Sequence, residues 1–261
     1  MKKTPIERIP IVLPPELEKL TEGAKLFDSS SSPEARVYYV DKGCGYYLKT
    51  AARGVLKREA TMTAYFHSKG LGAEVLHYSS TELDLLLTSR VRGEDCTHKT
   101  YISDPKRLCD TIGTQLRALH ELSYEGCPVA DRTQEYLATA EHNYRTESFD
   151  SSHFPDSFGY RSASEAYAVL CEGKAALRCD TLIHGDFCLP NIMLDDWQLS
   201  GFIDVGNGGV GDRHIDLFWG AWTLWFNLKT DKYRDRFLDA YGRDRVNEEI
   251  LKTVAASEVF G

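Results

Sequence analysis

Apolar and polar positions alternate with a period of two in the first third of the chain and recur every three or four positions afterwards. Residues 35–40 and 46–50 read as strands joined by the turn Lys42-Gly43-Cys44-Gly45, and 75–78 and 83–88 read as two more. A helix over 55–67, marked by Leu56, Ala60, Ala64 and Phe66, ends at Gly70-Leu71-Gly72. Pro14-Pro15 ahead of Glu16-Leu17-Glu18-Lys19-Leu20 predicts a short first helix with proline at its start; the rest of 1–25 is mixed. From Pro105 the period is helical, with Leu108, Ile112, Leu116 and Leu119 on one stripe and His120 reading as a cap at the helix end. Further helices are expected over 131–145, from the Ser162-x-x-Glu165 capping box to Leu170 or beyond, from Asp212 with its early acids, and over 233–241 and 247–256, with Phe237 and Leu238 buried. Trp219, Trp222, Trp225 and Phe226 crowd one of these helices, a spacing that ordinarily means core. Strands first and helices after make an α+β chain. Its expected domains are 1–90 and 91–261, hinged at Ser89-Arg90-Val91-Arg92-Gly93.

One stretch carries chemistry. Residues 182–206 hold Asp186, Asn191 five positions later, and Asp204 at the end of an apolar run. Gly185 allows backbone angles that a side chain forbids, and Pro190 stiffens the loop before Asn191. Residues 192–194 and 199–203 read as a hairpin turning at Asp195-Asp196-Trp197-Gln198, which returns Asp204 to Asn191. Phosphoryl transfer needs such a set: one carboxylate for the attacking hydroxyl, an amide oxygen and a second carboxylate for Mg²⁺. A lone His-Gly-Asp is usually a turn; the added Asn and Asp at these spacings favour function. Lys49 in a strand and Glu59 ten residues on in a helix suit an ion pair that places an ammonium on nucleotide phosphates, although a strand-edge Lys and a solvated Glu fit the pattern too. Tyr47 shares the strand face of Lys49 and is as well placed for core or surface as for stacking on adenine. The serines at 29–32 suit a phosphate-covering loop or a solvated linker equally.

Composition narrows the classes. The 261 residues leave room for two lobes, and a net charge of −8 argues against nucleic acid and suits a small cationic partner. Seven cysteines, odd in number and without a C-x-x-C pair, predict neither a zinc site nor a disulfide frame but reduced thiols, hence a cytoplasmic location. Cys188, with no paired base evident, reads as packing. Lys2-Lys3 is followed by no apolar run, so neither a signal peptide nor a membrane span is expected.

His184-Gly185-Asp186 with Asn191, Ser200-Gly201-Phe202-Ile203-Asp204, Asp212-Arg213 and Asp216 resemble the aminoglycoside phosphotransferases, and HGDFCLPNIM and SGFIDVG are most similar to the 3′-phosphotransferase class. The resemblance, over about residues 32–260, implies a protein-kinase-like two-lobed fold with an antiparallel-sheet N-lobe and a mostly helical C-lobe. It implies Asp186 as catalytic base, Asn191 and Asp204 as Mg²⁺ ligands, and Lys49–Glu59 as the strand–helix ion pair. It also implies Tyr47 as the adenine-stacking ring, Ser89 and Val91 as hinge backbone, and Ser32 as a phosphate-loop serine. Asp156, Glu258 and the terminal Gly261 fall where substrate ammonium groups are gripped. The cofactors so implied are ATP, with GTP left open, and Mg²⁺; the assembly expected is a monomer or weak dimer. Asn207, Trp222, Phe226 and Ser257 depart from the pattern, each removing a charged anchor from the substrate side. The activity expected is transfer of the ATP γ-phosphate to the 3′-hydroxyl of an aminoglycoside, or to another hydroxylated metabolite in a pocket lined by Trp222 and Phe226. A protein kinase is disfavoured by Gly185 in place of the Arg of H-R-D, and a non-catalytic nucleotide-binding module by the presence of Lys49, Asp186, Asn191 and Asp204 together.

Overall fold

Along the chain of the computed structural model, which describes residues 3–31, 35–150 and 158–261, the elements begin with β1 (Thr4–Ile6), α1 (Pro15–Thr21), β2 (Lys25–Asp28), β3 (Ala35–Asp41) and β4 (Tyr46–Ala52). Next come α2 (Lys57–Ser68), β5 (Val75–Ser80), β6 (Leu83–Ser89) and β7 (Glu94–Asp95). The helical part holds α3 (Lys99–Ile102), α4 (Pro105–His120), α5 (Arg132–Thr146) and α6 (Ala163–Gly173), and then β8 (Thr181–Ile183). β9 (Ile192–Asp195), β10 (Gln198–Phe202) and β11 (Gly209–Gly211) lead into α7 (Arg213–Leu228), α8 (Arg234–Tyr241) and α9 (Glu248–Glu258). The α+β class expected of the sequence, strands first and helices after, is the class observed.

Contacts divide the chain into two units, Met1–Asp95 with Pro190–Gly206, and Cys96–Leu189 with Asn207–Gly261. The expected division at residue 90 left the 190–206 hairpin in the C-terminal lobe. Pairing of β9 with β7, and a hydrogen bond from the Phe202 N–H to the Leu71 carbonyl (2.7 Å), tie that hairpin to the first unit instead.

In the first unit β1 to β6 form one antiparallel sheet in the order β1-β2-β3-β4-β6-β5. Period-two alternation gives it two apolar faces. Leu48, Leu85 and Leu87 pack with Ile9, Leu13 and Leu17, under α1. Ala51 and Leu86 pack with Leu56 and Ala60, at the start of α2. Fully buried Asp84 accepts the N–H groups of Gly54 (2.8 Å) and Leu56 (2.7 Å), which fixes where α2 begins. The mixed stretch 1–25 holds the unexpected strand β1, and a second unexpected strand, β2, begins where it ends. β1 is an edge strand and so tolerates Pro5, and β2 shows only Leu26 and Phe27 as apolar signal.

In the second unit α4 packs on α8 and α6 on α9. The expected stripe Leu108, Ile112, Leu116 and Leu119 is buried, as are Phe237 and Leu238. Ser162 caps α6 by accepting the Glu165 N–H (3.2 Å), while the Glu165 carboxylate accepts from the Arg161 N–H (3.0 Å). The glycine-rich segment 206–211 contributes β11, paired antiparallel with β8. A Cβ on Gly209 would lie 2.7 Å from Val129 Cγ1 and one on Gly211 2.6 Å from Ile183 Cδ1, so glycine is there for close approach.

Candidate active site

The first unit holds a cleft of about 750 Å³, counting its open mouth. Val37, Leu86, Met193 and Phe202 supply apolar wall, and Lys49, Glu59 and Asp204 supply a polar end. Tyr47 and Lys49, expected on one strand face, both line it. Tyr47 packs against Tyr39, with ring centroids 5.1 Å apart, and burial pushes its hydroxyl up to about 12, so the phenol is neutral. Ser32 lies outside the described residues; Ser29 and Ser31 line the cleft. Ser89 and Val91 line it as well. The Ser89 N–H, however, donates to the Glu74 carbonyl (2.9 Å) and its Oγ accepts the Glu74 N–H (2.9 Å), so that N–H already has an acceptor.

At the polar end the Lys49 ammonium pairs with Glu59 (2.6 Å) and with Asp204. Burial works to lower the Lys49 pKa, but Asp204 and Glu59 outweigh it and hold the amine above its ordinary range. Burial raises the Glu59 carboxyl, with Lys49 opposing and Asp204 adding. Two carboxylates around one ammonium leave an excess of negative charge. Asp204 adopts a left-handed φ of 58°, a conformation that costs energy outside glycine and is often found at functional sites. The hairpin explains its position. Asp196 and Trp197, with φ of 47° and 66°, form the two-residue turn favoured between twisted strands. At the other end the Ile203 N–H donates to the Asn191 carbonyl (3.0 Å), so Asn191 and Asp204 are neighbours as the spacing required. Asn191 is buried and Asp204 half-exposed. Among the described residues no group of three or more His, Cys, Asp or Glu could hold a metal. An amide and a carboxylate oxygen on adjacent strand ends nevertheless fit Mg²⁺, which takes one or two protein oxygens and completes its shell with water and phosphate.

The second unit carries the His184-Gly185-Asp186 loop. Gly185 has a φ of 83°, and a Cβ there would lie 1.9 Å from the Asn207 carbonyl oxygen, so both backbone angle and space demand glycine. Asp216 at the start of α7 accepts the N–H groups of His184 and Gly185, each at 2.7 Å, and its Oδ2 lies 3.1 Å from His120 Nε2. His120 Nδ1 is 2.9 Å from the Tyr241 hydroxyl. His120 is therefore the buried core of a network rather than the helix cap expected, and burial lowers its pKa, keeping it neutral. Asp186 is half-buried, and the Cys188 N–H donates to its carbonyl (2.8 Å). Burial, then the nearby Asp186 charge, pushes the Cys188 thiol far up, so it is no nucleophile. The Leu189 N–H donates to Thr223 Oγ1 (3.1 Å). Asp216 and Thr223 were not singled out for these anchoring roles. The signal was available: an acid inside the apolar run Ile215-Asp216-Leu217-Phe218 has to find donors if buried.

Glu258 Oε1 accepts from the Tyr136 hydroxyl (2.9 Å) and Trp219 Nε1 (3.0 Å). Burial raises its carboxyl to about 7, those two donors oppose the rise, and the Asp186 charge adds to it. Gly261 adjoins it: a Cβ there would stand 3.1 Å from Glu258 Oε2. Asp156 lies outside the described residues. The α7 aromatics, expected in the core, are not all buried. Trp225 is 38% and Phe226 47% exposed, with Trp219 and Trp222 partly so, because the buried stripe of α7 is filled by Ile215, Leu217, Gly220 and Leu224.

Groups of this chemistry on a sheet-plus-helix architecture of this kind define a phosphotransferase with a protein-kinase-like fold. The chain belongs to the phosphotransferase enzyme family, whose profile matches residues 30–251. It is 51% identical over 249 residues to a probable aminoglycoside 3′-phosphotransferase of Lactococcus lactis, covering 95% of each chain. Its fold is similar to the crystal structure of an aminoglycoside-3′-phosphotransferase of type VIII, with a TM-score of 0.74 and 25% identity over 94% of this chain and 97% of that one. It is also similar in fold to the aminoglycoside phosphotransferase APH(3'')-Id of Streptomyces rimosus solved with ADP and streptomycin, with a TM-score of 0.68 and 24% identity over 87% and 91%. No helix among the described residues is long and apolar enough to cross a membrane.

Proposed function

We propose that the protein transfers the γ-phosphate of ATP to a hydroxyl of an aminoglycoside, the 3′-hydroxyl in particular, as a cytoplasmic enzyme conferring resistance. The observation that carries the reading is the Lys49–Glu59–Asp204 cluster at the polar end of the Tyr47 cleft. The kinship with the Lactococcus lactis relative supports the acceptor. In this reading Tyr47 stacks on the purine, backbone near Ser89 and Val91 meets its edge, and Ser32 belongs to the loop over the phosphates. Lys49, oriented by Glu59, holds the phosphate oxygens. Asn191 and Asp204 hold Mg²⁺, which when bound neutralises charge on the nucleotide phosphates. Asp186 orients the acceptor hydroxyl and takes its proton late, because a loose transition state needs little activation of the nucleophile. Asp156, Glu258 and Gly261 hold acceptor amines.

The test is ADP release from ATP and from GTP with kanamycin, neomycin and neutral polyols as acceptors, followed by NMR of the product to locate the phosphate. Aminoglycoside-dependent release with phosphate at the 3′-position is expected. Release that is the same without acceptor, or that favours neutral polyols, sinks the reading. The second outcome would support a kinase of this fold for another metabolite, an alternative favoured by the exposed Trp225 and Phe226.

A further inference from the structure

Arg132 opens α5 in a position that its own helix disfavours. A guanidinium at the first residue of a helix faces the positive end of the dipole. The side chain is only 15% exposed, so much of its hydration is lost as well. Glu135, the acid one turn along the same helix, stands 3.8 Å from it and is half-exposed, which offsets little. A residue placed against local preference in this way marks a position where function overrides stability.

The first turn of α5 is pinned. Asp131 caps it by accepting the Gln134 N–H (3.0 Å), and Thr133 Oγ1 donates to the Arg178 carbonyl (2.7 Å). Just ahead of it the Val129 carbonyl accepts the Val210 N–H of β11 (2.8 Å). From this fixed base the Arg132 Nε–H donates to the Asn207 carbonyl (2.9 Å). That oxygen is the one that crowds Gly185, where a Cβ would lie 1.9 Å from it. Gly185 is bonded to Asp186, so a single carbonyl separates Arg132 from the backbone of the catalytic loop.

The charge of Arg132 also reaches the acids of the site. Residues Asn207-Gly208-Gly209-Val210-Gly211 carry no charge of their own. Burial, and then the Asp186 charge, raise the Glu258 carboxyl, and Arg132 pulls it back. At Tyr136, one turn along α5, Arg132 likewise opposes burial and Glu258.

We propose that Arg132 is a positioning residue for phosphoryl transfer: by holding the Asn207 carbonyl against Gly185 it fixes the turn that carries Asp186, and its charge offsets those of Asp186 and Glu258. The inference rests on Asp186 serving the acceptor hydroxyl, as above, and adds the α5 residue that keeps it in place.

The test uses Arg132→Met and Arg132→Lys in the full chain, with whichever acceptor the wild type phosphorylates. It measures kcat, acceptor KM, the Kd of a non-hydrolysable ATP analogue and the melting temperature. Arg132→Met is expected to lower kcat by about tenfold or more, as a displaced catalytic group does, with the nucleotide Kd within about twofold. Its melting temperature stays within about 4 °C of wild type, because relief from the dipole and from burial offsets the lost hydrogen bond. Arg132→Lys keeps the charge and a donor without the planar fork, and its kcat is expected at least about threefold above that of Arg132→Met.

An unchanged kcat in Arg132→Met overturns the proposal, as do equal kcat values in the two variants. So does a loss of kcat accompanied by a larger fall in melting temperature, the mark of an arginine that only supports the fold, or a rise in acceptor KM with kcat kept. A wild type that transfers to an aminoglycoside while Arg132→Met keeps its kcat overturns this role alone. A wild type that transfers to no acceptor, or an Asp186→Ala variant that keeps its turnover, overturns the reading of the site and this role with it.

Discussion

Asp216→Asn tests how the catalytic loop is held. In the wild type both carboxylate oxygens work: Oδ1 accepts the Gly185 N–H, and Oδ2 accepts the His184 N–H and faces His120 Nε2. An amide keeps one oxygen and turns an NH₂ toward the other site. Whichever way it rotates, one backbone N–H confronts a donor, and the surviving bond loses its charge assistance. A hydrogen bond to a charged group contributes about 1.5–3 kcal/mol, and an unsatisfied buried donor costs about 1–3 kcal/mol. Relief from burying a charge recovers part of this, leaving a net loss of about 3 kcal/mol. At about 2–4 °C per kcal/mol for a chain of this size, the melting temperature falls by roughly 6–12 °C. Below that temperature, kcat falls at least about tenfold, because His184-Gly185-Asp186 loses its anchor, while nucleotide affinity is kept. Scanning calorimetry and ADP-release kinetics read the two effects. A melting temperature within about 2 °C of wild type together with an unchanged kcat would refute the anchoring role of Asp216.

Two further outcomes follow from the charges in the two units. Lys49→Met removes the ammonium between Glu59 and Asp204 and is expected to lower kcat/KM for ATP by about 10²–10³, the usual cost of one fixed charge-stabilising group; a loss under about threefold would contradict its phosphate role. Glu258 has its carboxyl raised in the folded chain from 4.5 to about 7, so below pH 4.5 both states are protonated and its penalty is absent; between pH 4.5 and 7 the unfolded chain ionises first and stability falls, levelling above 7. The whole window is worth up to about 3 kcal/mol, less for the water that still reaches the group. Glu258→Gln should therefore lose that slope in denaturation series run from pH 4 to 8; an identical slope in variant and wild type would mean that Glu258 is not the titrating group.

Much of the fold was legible because burial obeys the sequence period. The α4 stripe and the sheet faces of Leu48, Leu85 and Leu87 could be read directly. The juxtaposition of Asn191 and Asp204 was also readable, since hairpin length and polar turn chemistry determine register. What escaped was set by tertiary context. Gly209 and Gly211 look like mobile linker, but a glycine demanded by a crowded neighbour leaves the same letter as one that gives freedom. The Trp222 and Phe226 spacing says which helix face they share, not whether that face meets core or water, and only the filling of the opposite stripe decides it. His120 was legible as structural but not as part of the Asp216 network, whose members lie 96 and 121 residues from it in sequence.

The most direct measurement on the central claim pairs ATP binding with turnover in Asp186→Ala. If Asp186 serves the acceptor hydroxyl in phosphoryl transfer, titration calorimetry finds ATP bound within about threefold of wild-type affinity while aminoglycoside-dependent ADP release drops by about 10²–10⁴. Turnover close to wild type in that variant would contradict the account.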